Sequence, residues 1–168
     1  MTTEVYWIEG PWPGRLAISP RPRGGDWLED EIRAWSQSGI DVVVSLLTSD
    51  ETNDLDLDEE AALCRGHNIS LISFPIEDRG VPTSRNDALR LVNVIESLLV
   101  DGHNIVIHCR GGIGRSGLLA ASLLVCAGFD AEEAIRRVSV ARGFSVPETA
   151  QQIQWVRDFA DAATALTR

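Results

Sequence analysis

The most informative segment of the chain is His108-Cys109-Arg110-Gly111-Gly112-Ile113-Gly114-Arg115-Ser116-Gly117. The residues Asn104–His108 that lead into it predict a strand buried on both faces, and the apolar residues after it predict a helix from about Arg115 to Ala127. Glycines in the connecting loop let several backbone N–H groups turn toward one point, where the helix N-terminus adds partial positive charge. The stretch therefore predicts a cradle for an anion.

Outward from this loop, apolar runs alternate with helical patterns, which predicts an α/β fold. The sequence predicts four further strands, at Val5–Glu9, Arg15–Ser19, Ile40–Leu47 and Ile69–Phe74. It predicts further helices after a cap at Asp26, at Leu57–Arg65, at Arg85–Val100 with Ser84 as its cap, at Ala131–Ala141 and at Pro147–Ala165. We expect a central, mostly parallel sheet flanked by helices, in a single domain of residues 1–168. The acidic stretch Thr48–Asp58 is interpreted as a solvated loop.

The charge balance excludes several classes of partner. Acidic residues outnumber basic ones by 25 to 15, which gives a formal net charge of -10 and predicts no nucleic-acid partner and no binding to anionic membranes. The N-terminal residues lack the pattern of a signal peptide, and the longest apolar stretch, Leu118–Phe129, is too short to span a bilayer. Three cysteines do not form a disulfide framework and suit a reducing cytosol, so we expect a cytoplasmic protein. We also expect a monomer.

The loop has the chemistry of a phosphate site. A cysteine at the base of the cradle is favoured as a thiolate, which makes Cys109 the predicted nucleophile. The guanidinium of Arg115, six residues later, can bind two phosphate oxygens in a fork. Ser116 can donate a hydrogen bond to the sulfur as it leaves. The predicted phosphate loop consists of Arg110, Gly111, Gly112, Ile113, Gly114 and Arg115.

The pattern Cys109-x5-Arg115-Ser116 resembles the signature of the protein tyrosine phosphatase superfamily. Within it the chain is similar to the dual-specificity branch, in particular to the kinase-associated and tensin-homology phosphatases. The resemblance implies hydrolysis of phosphotyrosine on proteins or peptides through a cysteinyl phosphate, with phosphoserine and phosphothreonine left open. It also implies that Asp78, in Pro75-Ile76-Glu77-Asp78, is the general acid and that His108 tunes the cysteine. We expect no metal and no cofactor.

Three further residues have roles suggested by the resemblance, each beside a simpler alternative. Cys64 is a candidate partner for a reversible disulfide with Cys109, or else a small residue that packs a helix. Gln151 and Gln152 are candidates for holding the attacking water, or else solvated helix residues.

Other functions also stay open at this point. The first is a phosphoinositide phosphatase, although the loop lacks the extra lysines of lipid-directed relatives. The second is a phosphoprotein-binding module without turnover, which is disfavoured because Cys109, Arg115 and Asp78 are all present. A sulfurtransferase also uses a cysteine loop, but the Arg115-Ser116 pair favours phosphate.

Overall fold

Five short strands form one sheet in the order β1-β2-β5-β3-β4 in the computed structural model, which describes residues 2–166. β1 is antiparallel to β2, and the other three pairings are parallel. The strands are β1 Tyr6–Ile8, β2 Leu16–Ser19, β3 Val42–Ser45, β4 Ser70–Ser73 and β5 Ile105–His108. The predicted central, mostly parallel sheet of an α/β fold is confirmed.

Helices cover both faces of the sheet, and most begin within a few residues of their predicted positions. They are α1 Leu28–Gln37, α2 Ser49–Asp54, α3 Glu60–Gly66, α4 Arg85–Val100, α5 Gly114–Cys126, α6 Ala131–Arg142 and α7 Ala150–Leu166. Ser84 caps α4 as predicted, since its hydroxyl accepts a hydrogen bond from the Asp87 N–H at 3.1 Å. Within residues 2–166, no helix is both long and apolar enough to cross a membrane.

The predicted cap at Asp26 is wrong. Asp26 lies inside a short 3₁₀ turn, Gly25–Trp27, that precedes α1. A capping residue needs the extended backbone that precedes a helix, and here Gly24 has that conformation. The Asp26 side chain therefore makes no capping bond.

The acidic stretch after β3 is also different from its prediction as a solvated loop. Part of it forms α2, which begins with a capping box between Thr48 and Glu51. The Thr48 hydroxyl accepts from the Glu51 N–H at 3.3 Å, and the Thr48 N–H donates to the Glu51 carboxylate at 3.1 Å. Glu51 is buried, with 8% of its surface exposed. The prediction failed because it treated every acidic residue of the stretch as solvated. Glu51 is buried because it has a charged partner, Arg115.

The core has two layers, one on each face of the sheet. Alternate residues of the central strands point to opposite faces, as the period of two in a strand requires. On one face, Ile105 and Ile107 of β5 pack with residues of α4, α5, α6 and α7. On the other face, Val106 packs with residues of α1 and α3. The central strands β2, β3 and β5 are therefore apolar at every position but the last, as a parallel sheet between helices demands.

The central position of β5 determines where the loop 109–113 lies. β5 pairs with both β2 and β3, and its last residue, His108, is in register with Ser19 and with Ser45. The carboxyl ends of these three parallel strands therefore meet at one edge of the sheet. In open α/β sheets, ligands bind at this edge. The chain then enters α5, whose residues are buried almost throughout.

Candidate active site

The loop after β5 curves around a hollow of about 240 Å³. Cys109 lies at its base and is almost fully buried. Gly112 has a φ of +67°, and a Cβ there would lie 2.5 Å from the backbone of Ser19 and Pro20. Both the conformation and the close approach therefore require glycine at this position. The hollow is lined by Asp78, Arg79, Cys109, Arg110, Gly111, Ile113, Gly114, Arg115 and Glu148.

Arg115 is held in one orientation by groups from two other segments of the chain. Its Nη1 donates to Glu51 Oε1 at 2.7 Å and its Nη2 donates to Glu51 Oε2 at 2.9 Å, which is a bidentate ion pair. Nη1 also donates to the carbonyl of Ile76 at 2.8 Å. Only 2% of the Arg115 side chain is exposed, so the packing around it and these hydrogen bonds fix the orientation of the guanidinium.

Glu51 and Arg115 each stabilise the charged form of the other. Burial would raise the pKa of Glu51, but hydrogen bonds from Arg115, the Thr48 N–H and Arg110 together lower it to about 2. Burial would lower the pKa of Arg115, but Glu51, Cys109 and Asp78 together raise it above its ordinary value. The positive charge needed by an anion is thus retained in a buried place.

Asp78 lies in the loop between β4 and α4, and it reaches the same guanidinium. Arg115 Nη2 donates to Asp78 Oδ1 at 3.2 Å, while more than half of the Asp78 side chain remains exposed. The structure therefore brings Asp78, Cys109 and Arg115 together around one hollow, as the sequence predicted. Glu77, the neighbour that could have been confused with Asp78, does not line the hollow.

The acid loop, residues 75–83, contacts both the segment that precedes α7 and the first turn of that helix. Arg79 Nη1 donates to Glu148 Oε1 at 2.8 Å, across the mouth of the hollow. Gln152 Nε2 donates to the carbonyl of Gly80 at 3.0 Å. These two contacts hold Asp78 at the rim, because they fix the residues that follow it.

Ser116 is buried in the first turn of α5. Its Oγ has no hydrogen-bond partner among residues 2–166, so the predicted bond to the sulfur of Cys109 is not formed in this structure. A buried hydroxyl without a partner lowers the stability of the folded state, and such groups are rare in native proteins. The role of Ser116 stays a prediction.

His108 is fully buried between two partners. Its Nε2 lies 2.7 Å from Glu60 Oε2, and its ring stacks on Trp35 with the centroids 6.0 Å apart. Its Nδ1 lies 3.4 Å from the carbonyl oxygen of Cys109. The imidazole thus links α3 to the peptide of the predicted nucleophile. This position suits the predicted tuning role.

The remaining candidates do not line the hollow. Gln151 is exposed on α7. Gln152 is buried, and besides its bond to Gly80 its Oε1 accepts from the N–H groups of Glu148 and Thr149, both at 3.1 Å. Gln152 therefore has a clear structural task, and the water-positioning role of either glutamine stays a prediction.

Cys64 lies in α3 and packs in the core layer on the other face of the sheet from the layer that contains Cys109. Both thiols are free. Burial, together with Glu60, raises the pKa of Cys64 to about 12, which makes its thiolate scarce. The reversible disulfide stays a prediction, and it needs a rearrangement that brings the two sulfurs together.

Sequence reasoning missed three acidic residues around the site: Glu51, Glu60 and Glu148. Glu51 had a usable signal, because Thr48-x-x-Glu51 is a capping box that places a helix directly after β3. Glu60 and Glu148 had none, since their partners, His108 and Arg79, are 48 and 69 residues away in the chain.

Comparison with known proteins identifies the family. A family model described as "Polymorphic toxin system, DSP-PTPase phosphatase" matches residues 19–129, more than half of the chain. The chain belongs to this DSP-PTPase phosphatase family. The match includes Asp78, Cys109 and Arg115, and it confirms the resemblance to the dual-specificity branch.

Two curated relatives support the assignment of this DSP-PTPase. The chain is 35% identical over 91 residues to "Phosphatidylinositol 3,4,5-trisphosphate 3-phosphatase and protein-tyrosine-phosphatase PTEN1" of Arabidopsis thaliana, a match over 51% of this chain and 22% of the relative. It is 30% identical over 115 residues to cyclin-dependent kinase inhibitor 3 of Homo sapiens, over 67% of this chain and 51% of the relative. The chain thus spans about half or less of the length of these relatives.

Solved structures agree on the fold of the DSP-PTPase. The kinase associated phosphatase with a serine in place of its catalytic cysteine superposes with a TM-score of 0.88 at 21% identity, covering 98% of both chains. Tk-PTP in the active form superposes with a TM-score of 0.77 at 26% identity, covering 94% of this chain and 96% of that one.

We expect Glu51→Gln to destabilise the protein by about 3 kcal/mol at pH 7, because it leaves a buried arginine with an incomplete partner. The Glu51 pKa of about 2 lies below its ordinary value of 4.5, so its contribution is present above pH 4.5 and is lost as the pH falls toward 2. The variant should lose this part of the acid sensitivity. Urea unfolding at pH 7 and across the acid range measures both effects.

Glu133→Gln is the matched control. Its carboxylate also has a pKa of about 2, but it lies on the surface of α6 with Arg136 and Arg137. Exposed pairs are screened by water and salt, so this variant should unfold almost as the wild type does. Equal stability of the two variants would contradict the proposed importance of burial.

Proposed function

We propose that this protein is a cysteine-dependent phosphatase that hydrolyses phosphotyrosine on proteins through a cysteinyl-phosphate intermediate. The observation that carries the proposal is the arrangement of Cys109 at the base of the hollow, with the guanidinium of Arg115 locked by Glu51 and bonded to Asp78 at the rim. A nucleophile, a fixed positive charge and a proton donor thus share one anion-sized space. Membership of the DSP-PTPase phosphatase family supports the same chemistry.

In the first step, the Cys109 thiolate attacks the phosphorus of the bound monoester. The S–P bond forms as the bond from phosphorus to the tyrosyl oxygen breaks, and Asp78 gives its proton to that oxygen. Arg115 and the loop N–H groups bind the equatorial oxygens, whose charge they stabilise in the transition state. The ion pair with Glu51 matters here, because it holds the guanidinium of Arg115 in an orientation that does not have to change during the reaction.

In the second step, water attacks the cysteinyl phosphate. Asp78, now a carboxylate, takes a proton from the water, the new O–P bond forms, and the electron pair of the S–P bond returns to sulfur. The hydroxyl of Ser116, which has no partner within residues 2–166, lies in the first turn of α5, directly after Arg115. We assign to it the donation of a hydrogen bond to the departing thiolate. Inorganic phosphate leaves, and the thiolate is restored.

A phosphoinositide is the alternative substrate, because the Arabidopsis relative is named for both lipid and tyrosine phosphatase activities. Two features of this chain favour proteins. Its 15 basic residues are all arginines, so the lysines that would bind extra phosphates are missing from the loop. The carboxylate of Glu148 also lines the hollow, where it would repel a second phosphate.

The setting of the enzyme follows from its surface and its thiols. The net charge of -10 disfavours nucleic acid and anionic membranes as partners. Free cysteines, including a nucleophile that must stay reduced, suit a cytoplasmic protein. We propose a monomer, since the hollow is built from residues of one chain.

Cys109→Ser should abolish turnover of a phosphotyrosine peptide, because the hydroxyl is too weak a nucleophile to replace the thiolate. Rapid acid quench of the wild type with ³²P-labelled peptide should trap phosphate on the protein, and mass spectrometry should place it on Cys109. A protein that binds the peptide tightly but never carries covalent phosphate would be a binding module, contrary to the proposal.

Asp78→Asn should lower the rate by about 100-fold for phenyl phosphate, since a general acid typically contributes 10²–10⁴. The loss should shrink for p-nitrophenyl phosphate, whose leaving group departs without a proton. The fall in rate on the alkaline side of the pH profile should also disappear. Glu77→Gln is the control, because Glu77 does not line the hollow, and it should behave as the wild type.

Glu148→Gln should lower the ratio of kcat/KM for a phosphotyrosine peptide to kcat/KM for phosphatidylinositol 3,4,5-trisphosphate by about tenfold. The reason is that it removes one negative charge that would repel the second phosphate. Arg79→Gln is the control, since it breaks the same ion pair but keeps the carboxylate. An equal change in both variants would show that the pair, and not the charge of Glu148, sets the preference. A wild type that prefers the lipid would overturn the substrate assignment.

A further inference from the structure

On the side of the phosphate loop that faces away from the hollow, the backbone carbonyl groups accept hydrogen bonds from other parts of the chain. For several N–H groups of a loop to face one anion, the carbonyl groups of the same segment must find donors elsewhere. Three successive carbonyls do so here. The carbonyl of Arg110 accepts from the Arg21 N–H at 3.2 Å. The next two, of Gly111 and Gly112, both accept from a single side chain, that of Arg142.

Arg142 reaches the loop from the last position of α6. Its Nε donates to the carbonyl of Gly112 at 3.0 Å, and its Nη2 donates to that of Gly111 at 3.3 Å. The two bonds come from adjacent nitrogens of one planar group, so they restrict both peptide planes together. Lysine could not do this, because an ammonium has no fixed plane.

Two aromatic rings hold the guanidinium of Arg142 in place. Its Cζ lies 4.1 Å from the ring centroid of Tyr6 in β1 and 4.6 Å from that of Phe144, just after the helix. The Tyr6 hydroxyl in turn donates to Glu4 Oε2 at 3.0 Å. Cation–π contacts of this kind fix orientation without neutralising the charge. The positive charge is therefore kept directly behind the loop.

We propose that Arg142 is a positioning residue for the phosphate loop. It orients the peptides of Gly111 and Gly112 so that their neighbouring N–H groups bind an oxyanion, and its charge adds to the field at Cys109. The glycines make the loop adaptable, and Arg142 selects one of its conformations. The inference deepens the proposed phosphatase function and rests on it for turnover, but oxyanion binding tests it separately.

The test measures tungstate binding by calorimetry and hydrolysis of a phosphotyrosine peptide for wild type, Arg142→Gln and Arg142→Lys. Charged hydrogen bonds of this kind are worth enough that Arg142→Gln should weaken tungstate binding about tenfold and lower kcat/KM by a similar factor. Arg142→Lys should recover only part of the loss, because it restores the charge without the fork. Melting temperatures of the three proteins show whether a general loss of stability contributes.

Arg137→Gln is the matched control. Arg137 is on the same helix and also lies over an aromatic ring, with its Cζ 4.1 Å from the centroid of Phe129, but its hydrogen bond goes to Glu133. It should bind tungstate as the wild type does. Arg142→Gln with binding within twofold of the wild type would overturn the proposal, and so would an equal loss in Arg137→Gln.

A second variant keeps the proposal testable if Arg142→Gln does not fold. Tyr6→Leu removes a ring that holds the guanidinium but leaves the loop and Arg142 intact, and it should weaken tungstate binding severalfold. Trp7→Leu, on the next residue of β1, removes the ring under Arg15 instead and should not. Unchanged binding in Tyr6→Leu would then count against Arg142.

These readouts separate the two proposals. A wild type that binds tungstate but does not hydrolyse phosphotyrosine would overturn the substrate assignment, while loss of tungstate binding in Arg142→Gln would still support the positioning role. An active wild type with an equally active Arg142→Gln would retain the function and overturn the positioning role.

Discussion

The buried ion pair between Arg115 and Glu51 is the constraint on which the site depends. A charged arginine with 2% of its side chain exposed is strongly destabilising without a partner, and so is a carboxylate in the same place without the arginine. The pair connects the first turn of α5 to α2, and the bond to the Ile76 carbonyl adds the acid loop. Three segments far apart in sequence are thereby held around one hollow.

The same constraint explains how an acidic protein presents a site for anions. The net charge of -10 is spread over the surface, and much of the carboxylate near the site is used to hold arginines in position. Glu51 binds Arg115 and Arg110, and Glu148 binds Arg79. The positive charge that phosphate needs is thus local and oriented. The electric field of such a cluster is stronger in a hollow than on an open surface, because the walls of the hollow focus it.

Different parts of the fold hold Cys109 and Arg115 on one side of the hollow and Asp78 on the other. Cys109 and Arg115 belong to the packed centre of the fold, between β5 and the buried helix α5. Asp78 belongs to the loop 75–83, whose residues Arg79 and Gly80 bond to Glu148 before α7 and to Gln152 in its first turn. In the proposed mechanism, the nucleophile and the phosphate-binding arginine gain from a fixed position, whereas the loop that carries the proton donor has to admit and release the substrate.

The parts of the site that could be predicted are those coded by neighbouring residues. The cysteine, the glycines and Arg115 lie within seven residues, and the strand before them and the helix after them follow from local apolar patterns. Asp78 was located by its resemblance to a known loop. Glu51 could have been found from its capping box, but its ion pair with a residue 64 positions away could not. The same holds for the pairing of His108 with Glu60 and of Arg142 with Gly111 and Gly112.

From the amino-acid sequence alone, most strands and helices, the anion-binding loop and Cys109 as its candidate nucleophile could be predicted, because backbone periodicity, glycine conformations and a short motif are local properties. The charged groups that support that loop became visible only in the folded chain. Their partners are chosen by distance in space, and burial makes those choices energetically decisive, since a charge removed from water must be matched by whatever the fold places beside it.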